Sequence, residues 1–132
     1  MITRRFDIEK DYDDLTAWWE HHGHKIISKD SLSPVAYIYE EGGQKVCVAF
    51  MYIGMGTKMA QIGWATSNPE SGLRARYRGF VSIVKNLLNL AEEFEIETIT
   101  AATSSKGFGR ILGKGLEQVV NHEFFIARRG VL

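Results

Sequence analysis

One cysteine in 132 residues leaves no partner for a disulfide within the chain. That excludes the small secreted domains that rely on cross-links, and a reducing cytosol is the expected setting. The lone Cys47 stands in a strand-like run and reads as a small buried hydrophobe rather than a nucleophile. Excess charge of either sign is also missing: sixteen basic residues balance sixteen acidic ones. A dedicated nucleic-acid binder usually carries a clear basic excess, so that class is not expected. No apolar run approaches the roughly 20 residues that span a bilayer. The N-terminal "MITRRFDIEKD" has no apolar core of the kind a signal peptide needs. Repeats, low-complexity tracts and interdomain linkers are absent as well. What remains is 45% hydrophobic and 11% aromatic, enough to bury a core in one domain spanning residues 1–132.

The order of elements follows from periodicity and punctuation. Ile2 to Ile8 alternates weakly and reads as a strand. Asp11 has the chemistry of an N-cap, with Asp14 placed to complement the first helical turn. Tyr12, Leu15, Trp18, Trp19 and His22 follow at helical spacing, and Gly23 suits the position just past the helix end. Residues 25–34 connect, with room for one short helical turn. Val35 to Glu40 and Lys45 to Ile53 flank Glu41-Gly42-Gly43 and read as a hairpin. Met59 to Thr66 is a third strand, stopped by Ser67-Asn68-Pro69.

Phe80, Ile83, Val84, Leu87, Leu88, Ala91 and Phe94 then form an apolar stripe, which predicts an amphipathic helix of about five turns. Glu97 to Ala102 is a β-branched strand, Lys106 to Lys114 a candidate short helix, and Glu117 to Arg128 strand-like with a break near Asn121-His122. The result is β-α-β-β-β-α-β-α-β, an α+β domain in which an antiparallel meander feeds one parallel βαβ crossover. Where pairing changes from antiparallel to parallel, backbones can splay and admit a ligand. The stretch "NPESGLRARYRGF" lies just beyond that point, with arginines at 74, 76 and 78.

Three segments, in this order and spacing, resemble the GNAT (Gcn5-related N-acetyltransferase) superfamily over nearly the whole chain. "WATSNPE", Trp64 to Glu70, with the basic stretch and long helix after it, looks like that fold's fourth strand, pyrophosphate loop and third helix. "TITAATSSKGFGRILGKGLEQV", Thr98 to Val119, is similar to its fifth strand and fourth helix, with Lys114-Gly115-Leu116 where members often have Lys-x-Gly-Phe. "AWWEHHGH" in the first helix, followed by a proline and a hairpin, is similar to small GNAT-like proteins of bacteriophages.

The resemblance implies an acyl-CoA-dependent N-acyltransferase with acetyl-CoA as co-substrate and an amine of a protein or small molecule as acceptor. It places the chain in the (host) cytoplasm and allows a homodimer through exposed strand edges. Pantetheine would lie along Trp64, Ala65 and Thr66, held by main-chain groups. The family's pyrophosphate signature, Arg/Gln-x-x-Gly-x-Gly/Ala, maps onto Arg76 to Val81: Arg76 and Gly79 match, and Val81 does not. The phosphate site is therefore either altered or uses Arg74, Arg76 and Arg78 directly, since guanidinium groups present paired donors.

The usual catalytic side chains are missing. Gly63 stands where a Glu base is expected, and Ile111 and Leu112 where a Tyr acid is expected. Gln61 cannot act as a base. Tyr77, Ser104 and His22 are the available substitutes, while Glu40 and Glu41 lie at a strand turn away from the cleft. Orientation of bound reactants supplies much of the rate by itself, so catalysis does not require them. The alternative is a non-catalytic GNAT-fold phage protein that binds a host protein. His21, His22 and His24 suggest a metal at first sight. However, His21 and His22 point about 100° apart on a helix, and no Cys/His pair accompanies them, so no metal is expected.

Overall fold

The computed structural model describes residues 1–102, 110–111, 118–121 and 124–128. The chain runs β1 (Ile2–Arg5), α1 (Ile8–His21), a 3-10 turn (Lys29–Ser31), β2 (Ala36–Glu41), β3 (Gln44–Ile53), β4 (Met59–Ser67), α2 (Leu73–Glu93), β5 (Thr98–Ala102), β6 (Gln118–Asn121) and β7 (Phe124–Arg128). All seven strands join one sheet in the order β1-β2-β3-β4-β5-β7-β6. The β4–β5 pair is parallel, and every other pair is antiparallel. This is the expected α+β mixed sheet, with the C-terminal strand segment folded into two paired strands. The candidate helix at 106–114 lies outside the described residues apart from Arg110 and Ile111.

Each face of the sheet carries a helix. Leu15, Trp18 and Trp19 of α1 pack on Ala36, Ile38, Val48 and Phe50. Ile83, Val84, Leu87 and Ala91 of α2 pack on the other face against Cys47, Ala49, Met51 and Ile62. The alternation of β2 and β3 supplies both cores, because successive side chains point to opposite faces. Gly42 and Gly43 make the hairpin turn with both φ angles positive, at +60 and +77. Two adjacent residues in that conformation are what a two-residue type I′ turn requires.

Two boundaries differ from the sequence expectation. The first strand ends at Arg5 rather than Ile8, and α1 starts one turn earlier than an Asp11 cap implies. Asp7 is the N-cap, accepting from the Glu9 and Lys10 N–H groups. Asp11 lies inside the first turn, and its carboxylate is buried. It accepts from Arg4 of β1 at 2.8 and 2.9 Å and from the Asp7 N–H at 2.8 Å, and it pairs with Lys45 of β3. The two cations drew this acid inward. Burial pushes the Asp11 carboxyl up, but the Arg4, Asp7 and Lys45 hydrogen bonds outweigh it and hold it at about 2. At the other end Gly23 takes φ +72, as expected for a helix stop. Its N–H bonds Glu20 and that of His24 bonds Trp19, the two bonds of a Schellman motif.

Among the described residues no helix is long and apolar enough to cross a membrane.

Candidate functional site

The parallel ladder between β4 and β5 runs from Met59 opposite Thr98 to Ile62 opposite Ala101. Among the described residues, β4 then continues to Ser67 paired with β3 alone. Within this stretch Val48 pairs with Thr66 while Phe50 pairs with Gly63, so Trp64 and Ala65 together oppose the single residue Ala49. That is a β-bulge, which bends the strand and re-aims its side chains. Trp64 takes φ 54, a left-handed conformation that costs a bulky residue about 1 kcal/mol or more. The bulge and the end of the ladder together open a cleft beside the last residues of β4.

A braced loop follows. The Asn68 N–H bonds the Val46 carbonyl at 2.7 Å, and its side-chain amide bonds the Lys45 carbonyl at 2.9 Å. The Ser71 hydroxyl donates to the Asn68 carbonyl at 2.6 Å. Arg76 reaches back to the Ser71 hydroxyl at 3.1 Å and the Pro69 carbonyl at 2.9 Å. Helix α2 then begins at Leu73, directly after Gly72. Gly72 offers no side-chain cap, and no acidic residue stands in the first turn. The opening N–H groups of a helix have no carbonyl one turn back, so this end carries free donors and partial positive charge.

The basic stretch is therefore the first two turns of α2 and not a loop. The apolar stripe begins only at Phe80, which is why the helix start was expected later. Helical geometry also splits the three arginines: at about 100° per residue, Arg74 and Arg78 share a face and Arg76 points almost the opposite way. Arg76 holds the loop. Arg78 makes a two-pronged pair with Glu41 at 2.9 and 3.0 Å. Arg74 forms no ion pair among the described residues. Gly79, expected at the phosphate, faces the sheet instead. A Cβ there would stand 2.5 Å from the Cys47 sulfur and 2.7 Å from the Tyr39 ring. Its smallness lets α2 approach β2 and β3, and it does not line the cleft. Cys47 is fully buried, and burial pushes its thiol well above the ordinary range, so it is no nucleophile.

The cleft is a cavity of about 720 Å³ with two unlike ends. Its inner end is apolar, formed by Ala65, Phe80 and Ile111, the last two buried in the α2-side core. Its outer end is exposed and basic, with Leu73, Arg74, Tyr77 and Arg110. His22 and His24 wall it from the end of α1. Among the described residues no carboxylate lines it. The Thr66 hydroxyl is buried in the wall without a hydrogen-bond partner. A polar group left so normally serves a ligand or water.

Of the expected site residues, the structure brings Ala65, Thr66, Arg74, Arg76, Arg78, Tyr77 and His22 to this cavity. Trp64, 49% exposed, sits at the bulge but is not in the cavity wall. Ser104, Leu112 and Lys114-Gly115-Leu116 lie outside the described residues. The His22 Nε2 lies 2.9 Å from the Ser67 carbonyl, which can only accept, so Nε2 carries the proton. Tyr77 belongs to the exposed rim and Ile111 to the apolar end. Gly63 leaves open space where a side chain would stand. Glu40 pairs with Arg4, and Glu41 with Arg78. The sequence did not single out Leu73 or Arg110. Leu73 carried no signal because a lone leucine beside arginines has no periodic partner. Among the described residues no group of three or more His, Cys, Asp or Glu could hold a metal.

No protein-family profile matches the chain, and no curated protein matches it in sequence. Solved structures do match. The chain is similar to an aminoglycoside 6′-acetyltransferase type Ii, with TM-score 0.74 and 14% identity over 100% of this chain and 98% of that one. It is similar to an N-acetylglutamate synthase from Neisseria gonorrhoeae, complexed with coenzyme A and L-arginine, with TM-score 0.71 and 13% identity. There it covers 96% of this chain but spans only 32% of the synthase. A ribosomal-protein-alanine N-acetyltransferase from Brucella melitensis gives TM-score 0.64 at 11% identity, over 98% and 99% of the two chains. The fold is that of the GNAT acetyltransferases.

Proposed function

We propose that this chain is an acyl-CoA-dependent N-acyltransferase that uses acetyl-CoA and an amine acceptor. The observation that carries the reading is the uncapped start of α2. It opens beside a cavity whose charged lining, among the described residues, is cationic and whose wall holds the unpartnered Thr66 hydroxyl. Free helix N–H groups with the helix dipole bind phosphate well. An apolar inner end joined to a basic outer end suits an amphiphile with an acyl-thioester at one tip and phosphates at the other. The likeness in fold to proteins solved with coenzyme A supports the same assignment.

Acetyl-CoA supplies an activated acyl group on a thiolate that leaves readily. The chain's part is binding and alignment. The N–H groups at the start of α2 and Arg74 hold negative charge, the braced loop keeps them in place, and Phe80, Ile111 and Ala65 exclude water from the inner end. Alignment of this kind can replace several kcal/mol of barrier. Transfer joins the amine nitrogen to the acyl carbon, breaks the carbon–sulfur bond and passes one amine proton to solvent. Among the described residues no carboxylate lines the cavity to take that proton directly.

A second reading, a GNAT-fold binding protein without catalysis, is favoured by Gly63 and Ile111 at the positions of base and acid. Calorimetry with acetyl-CoA, followed by thiol release across a panel of amines, separates the two. The transferase reading expects micromolar binding and amine-dependent thiol release. Binding without release leaves the second reading standing, and no binding at high micromolar acetyl-CoA removes the cofactor assignment.

A further inference from the structure

The outer end of the cavity carries more apolar surface than an anion site needs. Leu73 is 80% exposed and Tyr77 is 47% exposed. They stand four residues apart on α2, so their side chains lie one above the other on the same helix face. What sets this pair apart from the chain's other exposed hydrophobes is that both line the cavity, where they form a ledge directly beside a cationic rim. The rim's cations are not equivalent. Arg76 is occupied by the loop and Arg78 by Glu41, which leaves Arg74, next to Leu73, as the arginine of this helix open to a ligand.

We propose that Leu73 and Tyr77 are the platform for the nucleobase of the donor and that Arg74 takes its ribose phosphate. This rests on the acyl-CoA reading and deepens it. It makes the outer rim a device that selects the donor's carrier. A free nucleotide-bearing thioester gains the ledge and Arg74, whereas the same pantetheine arm without a nucleotide, as on a carrier protein, gains neither. A flat base on a tyrosine face and a leucine gains stacking and burial, and a guanidinium gains charge-assisted hydrogen bonds to phosphate.

The test is calorimetry with three probes: coenzyme A, dephospho-coenzyme A and 4′-phosphopantetheine. The expected order of affinity is the order given, each step about tenfold, the usual scale for one stacked base or one charge-assisted contact. Arg74→Ala should close the gap between the first two probes and leave the third unchanged. Tyr77→Ala should narrow the gap between the second and third, which differ by a phosphate as well as the nucleoside, and Tyr77→Phe should restore it. Lys85→Ala, on the exposed side of α2, should alter none of the three. Leu73, Arg74 and Tyr77 are surface side chains, and thermal unfolding of each variant checks that the fold persists. If phosphopantetheine binds as tightly as coenzyme A, the ledge is not used and this inference is overturned while the acyl-CoA reading stands. If none of the three binds, both fall.

Discussion

The two long helices begin in opposite ways. At the start of α1 every available device is in place: Asp7 caps the Glu9 and Lys10 N–H groups, and Asp11 closes on the Asp7 N–H. Arg4 and Lys45 then neutralise Asp11, and Glu40 and Asp14 hold those cations in turn. At the start of α2 none of this is present. Gly72 has no side chain, the first turn has no acid, and arginines stand where acids would be favourable. One helix end is finished with protein groups, and the other is left for something else to finish. The proposed function places ligand binding at the second.

Removing the finished end should have the largest effect. Asp11→Asn keeps the shape but deletes the charge between two cations. Breaking a buried pair costs about 3 kcal/mol or more, measured as a lower midpoint in urea unfolding. The same group sets a pH signature. Its carboxyl is held at about 2 in the fold against an ordinary 3.8, so its contribution is complete above about 4 and disappears as pH falls toward 2. Stability measured across that window should fall in the native chain, and this component should be absent from Asp11→Asn. A slope that is unchanged in the variant would mean that Asp11 does not carry the effect.

Finishing the open end should separate stability from binding. A Cβ at Gly72 meets nothing within 4 Å, and its φ of −75 and ψ of 158 already suit a cap. Gly72→Asp should therefore raise stability by a few tenths of a kcal/mol. It should also weaken acetyl-CoA binding at least tenfold, about 1.4 kcal/mol, because its carboxylate occupies the donors and repels phosphate. A variant that becomes more stable and binds equally well would show that the helix start is not the anion site.

The smallest effect lies at the helix C-termini, which are alike where the N-termini differ. α2 also ends in a Schellman motif, with Glu95 N–H on Glu92 and Ile96 N–H on Ala91. Yet its left-handed residue is Glu95, at φ 57, where α1 has Gly23. Glu95→Gly should stabilise by about 0.5 kcal/mol, the relief of left-handed strain less the entropy of glycine, read as a rise in Tm.

The strands were legible because β3 is a continuous buried run and β4 alternates buried with more exposed positions, with turn glycines marking their limits. The parallel crossover followed from strand, helix and strand in order. The start of α2 was misplaced for a physical reason. Its first two turns face a cavity and solvent, so they lack the apolar stripe that announces a helix, and their glycine and arginines read as a loop. Gly79, expected at a phosphate, instead packs α2 against Cys47 and Tyr39. The bulge at Trp64 left no mark at all, since it arises from the register of β4 on β3. The sequence pointed to Asp11 as the cap of α1, but Asp7 takes that place, and Asp11 is instead engaged by Arg4 and Lys45, a pairing that only the folded chain shows.

The early end of the β4–β5 ladder has a further consequence for solubility. A strand that outruns its neighbour has a backbone edge, and such edges recruit other chains into aggregates unless they are protected. Among the described residues, the edge of β4 beyond Ile62 lies in the interior of a seven-stranded sheet, where Ala65, Thr66 and Ser67 line the cavity. That stretch is therefore flanked by β3 on one side and by the cavity on the other, and it is not an outer edge of the sheet.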